Sequence, residues 1–262
     1  MSCRRFFIRI KIIFAGAAGL ALTAALCAGL WMAAAPGRVQ TGSAPAFTGS
    51  EEREESSATE GLAYEQVEWK DEYAVAGMGE CSETDIVVCD ECGDCPVTAV
   101  ACEAFRGCTS LRTAVLPSGV TEIGESAFYG CTSLAAVEMP AVTDIGARAF
   151  YGCTSLSSVT LPDALYSVGD YAFYGCDSLE TVVIPESVGV VGAYAFYNCA
   201  SLTDIFCEAE SMPEGWDFAW KNYFTATVHW KDEWHYVGGV PTPKPIDPEQ
   251  TTNFTRFSRQ ND

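Results

Sequence analysis

The chain has 262 residues, of which 48% are hydrophobic and 19% charged, and its 35 acidic and 15 basic side chains give a formal net charge of −20. This apolar content suffices for one ordered domain of about 150 residues plus extra segments, whereas a negative field of this size repels phosphate backbones and excludes a nucleic-acid partner. Only two histidines are present, which leaves little for imidazole catalysis or metal binding, and the 13 cysteines form an odd number.

The N-terminus has the pattern of an export segment. An uncharged run of 24 residues extends from Ile12 to Ala35, long enough to cross a bilayer. Because bases precede this run and acidic residues follow it, the positive-inside tendency exports the rest of the chain. Residues 1–35 are therefore predicted to anchor the protein at the cell surface, with cleavage as a signal peptide and secretion as the alternative. The bases are Arg4, Arg5, Arg9 and Lys11.

Residues 36–60 are rich in Pro, Gly, Ser, Thr and Glu and have no apolar periodicity. This composition predicts an acidic disordered spacer.

A repeated motif, Ala-Phe-x-x-Cys, organises the middle of the chain. It occurs at intervals of 22 or 23 residues, and each copy continues with x-Ser-Leu and an alternating segment. Self-similarity at this period is typical of a solenoid, so we predict five repeats of 22–23 residues over residues 104–207. The copies begin at Ala104, Ala127, Ala149, Ala172 and Ala195.

Each part of the repeat predicts a local structure. The alternating segments favour one short strand per repeat, ended in most copies by a proline that cannot donate to a ladder. The Ala-Phe-x-x-Cys segment is too short for a full helix and indicates one helical turn, and a glycine such as Gly146 suits a bend. The predicted fold is thus an α/β repeat solenoid with parallel strands. The strand segments are Leu111–Pro117, Leu134–Pro140, Leu156–Pro162, Leu179–Pro185 and Leu202–Glu208.

Stacked rungs bury columns of equivalent side chains. One phenylalanine per repeat is expected to form an aromatic spine. The spine residues are Phe105, Phe128, Phe150, Phe173 and Phe196. One residue per strand is expected to face outward, at Val115, Glu138, Thr160, Val183 and Phe206.

The repeat resembles the leucine-rich repeats of the BspA-like family of exported bacterial and protist surface proteins. The phrase AFYGCTSL, at Ala127–Leu134 and Ala149–Leu156, carries the resemblance, which covers residues 61 to about 207. The segment Tyr73–Val100 also looks like the opening of that family, a hairpin followed by a strand. The resemblance implies an N-terminal cap and first rung at 61–103, surface display and non-catalytic binding of a partner, with no catalytic residues to transfer.

The cysteines fall into two groups. Equivalent repeat cysteines have parallel Cβ vectors about 4.8 Å apart, whereas a disulfide needs converging Cβ atoms about 3.8 Å apart, so we expect buried free thiols. In the N-terminal group an exported protein favours structural disulfides, with free thiols or a metal site at Cys89-x-x-Cys92-x-x-Cys95 as alternatives. The N-terminal group is Cys81, Cys89, Cys92, Cys95 and Cys102.

A tyrosine follows the spine phenylalanine in four repeats, and Arg106 replaces it in the first. Adjacent helical positions point about 100° apart, so these rings are expected to lie toward the surface. They are the candidate partner-binding row, with a partly buried outer packing row as the alternative. The row is Tyr129, Tyr151, Tyr174 and Tyr197.

The C-terminal part departs from the repeat. Residues 208–239 are rich in Trp, Tyr and Phe and are predicted to cap the last rung, whose core and strand edge need cover. Residues 240–262 contain four prolines and are predicted to form an extended tail.

Together these patterns predict an exported, non-catalytic leucine-rich repeat surface protein. It is expected to bind a protein or carbohydrate ligand at the cell surface, through the tyrosine row or the strand face, without a cofactor or resident metal. Two alternatives are a redox- or metal-sensing surface protein that uses Cys89, Cys92 and Cys95, and a structural spacer without a ligand.

Overall fold

The computed structural model describes residues 58–245 except 69 and 222–225. The predicted anchor at 1–35, most of the spacer at 36–60 and most of the tail at 240–262 lie outside these residues. Within the described part, no helix is long and apolar enough to cross a membrane.

The described chain winds into a solenoid of short strands. In chain order the strands are β1 (Ala63–Gln66), β2 (Tyr73–Gly77), β3 (Asp85–Val87), β4 (Glu91–Cys92), β5 (Cys95–Val100), β6 (Thr113–Val115), β7 (Glu122–Ile123), β8 (Ala136–Glu138), β9 (Asp144–Ile145), β10 (Ser167–Val168), β11 (Thr181–Ile184), β12 (Val190–Val191), β13 (Asp204–Cys207), β14 (Thr227–His229), β15 (Trp234–Val237) and β16 (Val240–Pro243). The largest sheet runs β1-β2-β5-β7-β9-β10-β12, with β4 paired to β5. Two three-stranded sheets, β3-β6-β8 and β11-β13-β14, form separately, and β15 and β16 make a hairpin.

Most rungs contain two strands, which corrects the prediction of one strand and one helical turn. The second strand lies just before the glycine predicted to bend, as β9 does before Gly146, and Ile123 and Ile145 pair in parallel in the largest sheet. A Cβ on Gly146 would lie 2.7 Å from the backbone nitrogen of Glu125, so glycine is needed because successive rungs approach closely.

The Ala-Phe-x-x-Cys segments are tight turns. The Phe128 amide donates to the carbonyl of Ala149 in the next rung at 2.7 Å, and the Cys131 amide donates to the Phe128 carbonyl at 3.1 Å. In an α-helix each amide donates to the carbonyl four residues earlier. Here the amides donate to a carbonyl three residues earlier or to a carbonyl of the next rung. The fold is therefore a β-solenoid rather than an α/β solenoid, and the described residues contain only one 3-10 turn, at Lys231–Glu233.

The strand face is interrupted at the third repeat. The segment Leu156–Pro162, predicted as a strand, has no regular structure. The Ser157 amide reaches the Ala135 carbonyl only at 3.4 Å, a long hydrogen bond, and Val159, at the strand position that is buried in the other repeats, is only half-buried. This gap separates the two three-stranded sheets.

The predicted phenylalanine spine is present. All five rings are fully buried, and consecutive ring centroids are 5.1, 5.2, 5.0 and 5.1 Å apart. Buried Leu, Val and Ile columns surround them, so stacking of rungs closes a core that no single rung can form.

The N-terminal end begins with a hairpin that starts at Ala63, before the segment Tyr73–Val100 in which a hairpin is predicted. Strand β1 pairs antiparallel with β2, which continues in parallel with β5. Thr59, inside the predicted spacer, is ordered, because its amide donates to the Val87 carbonyl at 2.8 Å and its hydroxyl accepts from the Val87 amide.

The predicted C-terminal cap partly continues the coil. Strand β14 pairs in parallel with β13, and Trp216 forms a bridge to Val191. Phe206, predicted to face outward, is only 2% exposed because Trp234 covers it with ring centroids 5.3 Å apart. The start of the predicted tail is also ordered, as strand β16, whose prolines suit an edge strand.

Candidate functional site

The four predicted tyrosines form a stacked column on the outer side of the turns. Ring centroids are 4.8 Å apart for Tyr129 and Tyr151, 4.7 Å for Tyr151 and Tyr174, and 6.0 Å for Tyr174 and Tyr197. The planes differ by 5°, 7° and 17°, and all four side chains are half-buried.

A second tyrosine column lies beside the first and was missed by the sequence analysis. Tyr171 and Tyr194 stack with centroids 5.1 Å apart, Tyr171 lies 5.8 Å from Tyr174, and Tyr194 meets Tyr197 edge-on at 5.3 Å. The available signal was their shared place immediately before the Ala-Phe pair. We call the combined surface the tyrosine ridge, which consists of Tyr129, Tyr151, Tyr171, Tyr174, Tyr194 and Tyr197.

The second column sits on an unusual backbone. The residue before each Ala-Phe pair has a φ of 57–59°, in the left-handed region that bulky side chains seldom adopt. Such a conformation persists because the surrounding rungs impose it, and it holds Tyr171 and Tyr194 against the first column. The five residues are Glu103, Ser126, Arg148, Tyr171 and Tyr194.

Two arginines flank the N-terminal part of the ridge. The Arg106 guanidinium lies 4.9 Å from the Tyr129 ring centroid, and that of Arg148 lies 5.5 Å from the Tyr171 centroid. Both contacts have cation–π geometry. Arg148 also pairs with Glu125 at 3.6 Å, and Arg106 pairs with Glu103, so both guanidinium groups are held beside the rings while a carboxylate balances the charge of each.

The stacking determines what the ridge presents. Neighbouring rings cover each other's faces. A ligand therefore meets ring edges and hydroxyl groups that recur once per rung, and not open ring faces. Partial burial and the neighbouring tyrosines raise the pKa of Tyr151, so its hydroxyl stays protonated at neutral pH and is available as a hydrogen-bond donor.

Four of the five predicted repeat thiols are buried, and each of these donates a hydrogen bond that the sequence did not reveal, whereas Cys108 in the first repeat is half-buried. Cys131 Sγ donates to the Phe105 carbonyl at 3.0 Å, and three later cysteines repeat this contact one rung further at 3.1–3.3 Å. Burial raises the pKa of Cys131 and of Cys199 to about 12, which suppresses the reactive thiolate. The later cysteines are Cys153, Cys176 and Cys199.

The N-terminal cysteines are only partly brought together. Cys92 lies directly opposite Cys95, and the Cys89 thiol donates to the Tyr64 hydroxyl at 3.0 Å. Cys81 lies elsewhere, and its sulfur accepts from the Glu83 amide at 3.4 Å. Cys102 is half-buried in the turn after β5.

The thiols of Cys81, Cys89, Cys92 and Cys95 are free, so their pairing in structural disulfides stays a prediction. Within residues 58–245, gaps aside, no three His, Cys, Asp or Glu side chains are arranged to hold a metal ion.

Comparisons with known proteins agree with this architecture. A sequence profile described as the BspA type leucine rich repeat region matches residues 98–213 in six copies. The motif Ala-Phe-x-x-Cys marks five repeats within this region, and the coil continues beyond the matched residues through Trp216 and β14 without the motif. No curated protein matches the chain.

Two solved structures are similar. A leucine-rich repeat protein of T. pallidum is 36% identical, with a TM-score of 0.53, over 56% of this chain and 68% of its own. A leucine-rich repeat protein of Bacteroides ovatus is 32% identical, with a TM-score of 0.53, over 62% of this chain. The chain spans 42% of the length of the second protein. The repeats, the solenoid and these relatives together show that the chain belongs to the BspA-type leucine-rich repeat family.

Proposed function

We propose that this protein is an exported, non-catalytic recognition module that binds a protein or carbohydrate ligand through the tyrosine ridge. The observation that carries the proposal is the ridge itself, six stacked and half-exposed tyrosines on a rigid solenoid. Membership of a leucine-rich repeat family supports a binding role.

The physical case rests on preorganisation. Binding normally costs about 0.5–1.5 kcal/mol for each side chain that is immobilised, and the ridge tyrosines are already ordered by stacking. Tyrosine has only two side-chain torsions and combines an apolar ring with a polar hydroxyl, which makes it common in binding hot spots. Arg106 and Arg148 add donors for acidic or hydroxyl-rich ligands.

The location is part of the same proposal. The bases before Ile12 and the uncharged run to Ala35 support export with the N-terminal segment retained as an anchor. Secretion after cleavage is the alternative. The intact mass of the protein from its native cells distinguishes the two, because loss of residues 1–35 changes the mass by a known amount.

The binding role is tested with the full chain in membrane vesicles, screened against arrays of glycans and extracellular matrix proteins. For any ligand found, the double variant Tyr151→Ala/Tyr174→Ala is expected to lose at least about tenfold in affinity while its unfolding transition is retained. The matched control is Tyr166→Ala, since Tyr166 is 57% exposed and lies outside the ridge.

The double variant Tyr151→Phe/Tyr174→Phe separates the rings from their hydroxyls. Because the stack covers the ring faces, we expect much of the affinity loss to remain in this variant. Unchanged binding by the alanine variant would remove the ridge as the binding surface, and an empty screen would count against a recognition role.

A further inference from the structure

We propose that Cys92 and Cys95 form a dithiol that exchanges with small extracellular disulfides, accepting neutral or cationic ones in preference to anionic ones. The inference rests on the proposed export but not on the tyrosine ridge, which lies in the repeats and not in this N-terminal hairpin.

The pairing of the two cysteines favours a reversible bond. They are direct partners in the antiparallel ladder between β4 and β5, and only Gly93 and Asp94 separate them. Opposed residues in such a ladder have Cα atoms about 4.5–5.5 Å apart and side chains on the same face. A disulfide requires Cα atoms about 4.4–6.8 Å apart, so this bond needs no large movement of the backbone.

The hairpin is held on one side and open on the other. Strand β5 is fixed between β2 and β7 in the largest sheet, whereas β4 pairs, among the described strands, only with β5. Gly93 has a φ of 68°, and an added Cβ there would meet no atom within 4 Å, so the turn is open to solvent. Cys92 and Cys95 are half-buried, with Cys92 packed against the core, so a small disulfide reaches them from the side of the open turn.

A third thiol lies close by but is engaged differently. Cys89 lies three residues before Cys92, just ahead of β4, and burial, followed by charge at Cys89 and Cys95, raises the pKa of the Cys92 thiol. The Cys89 thiol is tied to the hydroxyl of Tyr64 at 3.0 Å. We therefore assign the exchangeable bond to Cys92 and Cys95 and expect Cys89 to stay reduced.

The exchange proceeds in two balanced steps. The thiolate of Cys95 attacks one sulfur of the small disulfide, breaks its S–S bond and releases one small thiolate. The thiolate of Cys92 then attacks Cys95 Sγ, breaks the mixed disulfide and releases the second small thiolate, which takes up a proton. The protein dithiol is oxidised by two electrons and the small disulfide is reduced to two thiols.

Charge provides the preference. Three exposed carboxylates, those of Asp90, Glu91 and Asp94, lie within the same hairpin. Their field repels an anionic disulfide such as oxidised glutathione and attracts a cationic one such as cystamine. The preference is expected to weaken at high ionic strength, because exposed charges are screened beyond about 8 Å.

The test uses the full chain, reduced under nitrogen and then mixed with cystamine or with oxidised glutathione at equal concentration. Free thiols are alkylated after acid quenching, bonded ones are alkylated with a second reagent after reduction, and peptide mass spectrometry locates each label. We expect the Cys92–Cys95 bond to form about tenfold faster with cystamine at low salt, to revert with cysteamine, and to lose most of the rate difference in 0.5 M salt.

Variants make the assignment specific. Cys89→Ser and Cys81→Ser are expected to keep the exchange, whereas Cys92→Ser and Cys95→Ser stop at the mixed disulfide or fail to react. If a variant does not fold, the alkylation pattern of the unsubstituted protein alone decides which cysteines form the bond. Absence of the Cys92–Cys95 bond, a bond to Cys89 instead, or a bond that cysteamine does not reverse would overturn the assignment, and equal rates at low salt would overturn the charge preference.

Discussion

The phenylalanine spine and the main tyrosine column of the ridge have nearly the same spacing between rings but opposite surroundings. Neighbouring rings are 5.0–5.2 Å apart in the spine and 4.7–6.0 Å apart in the main tyrosine column. The spine is completely buried, whereas the ridge is half-exposed. The repeat thus sets the spacing of both columns, and the side of the turn on which a ring lies decides whether it stabilises the fold or meets a ligand.

The largest test of this difference is to remove one ring from each column in the same rung. Phe150→Ala is expected to lower the free energy of unfolding by about 3–5 kcal/mol, because it leaves a cavity in the middle of the spine. Tyr151→Ala is expected to cost less than about 1.5 kcal/mol, since only part of that ring is buried. Denaturant titration of the two variants measures both values, and equal losses would show that the ridge is a structural row.

A second test uses the thiols that line the inner side of the turns. The pKa of Cys199 is about 12 in the folded protein, against about 8.5 in an unfolded chain. Between these values the unfolded chain releases the proton and the folded chain keeps it, so stability falls as pH rises, by about 1.4 kcal/mol per pH unit for each such thiol.

Cys199→Ser is expected to reduce the loss of stability at alkaline pH by the contribution of one thiol. Serine keeps the hydrogen-bond donor to the Phe173 carbonyl but does not titrate in this range. Unfolding by denaturant at several pH values from 8 to 11 compares the slopes. Parallel curves for the variant and the original protein would mean that Cys199 ionises without unfolding.

A smaller effect on stability is expected at the position between the ridge tyrosine and the inner cysteine of each rung. Four rungs have glycine between the ridge position and the inner cysteine, with φ of 69–72°, and Asn198 occupies this place in the fifth with a φ of 58°. Asn198→Val should lower stability by about 1–2 kcal/mol because a β-branched residue resists this conformation, whereas Asn198→Gly should change it by less than about 0.5 kcal/mol. Thermal unfolding distinguishes them, and a valine variant as stable as the glycine variant would contradict the backbone argument.

Sequence reasoning identified the spine because Phe105 and its equivalents recur at a fixed interval with strictly apolar chemistry. It failed to find Tyr171 and Tyr194 because Glu103, Ser126 and Arg148 occupy the same position in the other rungs, so their shared place before the Ala-Phe pair shows no aromatic repeat. It also misjudged Phe206, whose place in the strand points outward, because the cover supplied by Trp234 comes from a segment without the repeat.

The amino-acid sequence alone determined the period, the residues of the core and the family resemblance, since these depend on side-chain chemistry that recurs along the chain. Only the tertiary structure decided that the motif Ala-Phe-x-x-Cys is a turn and not a helix, that the third repeat lacks a strand, and that two tyrosine columns meet. The reason is that the amides of one rung bond to the carbonyls of the next, and which atoms meet across that gap depends on the stacking of whole rungs.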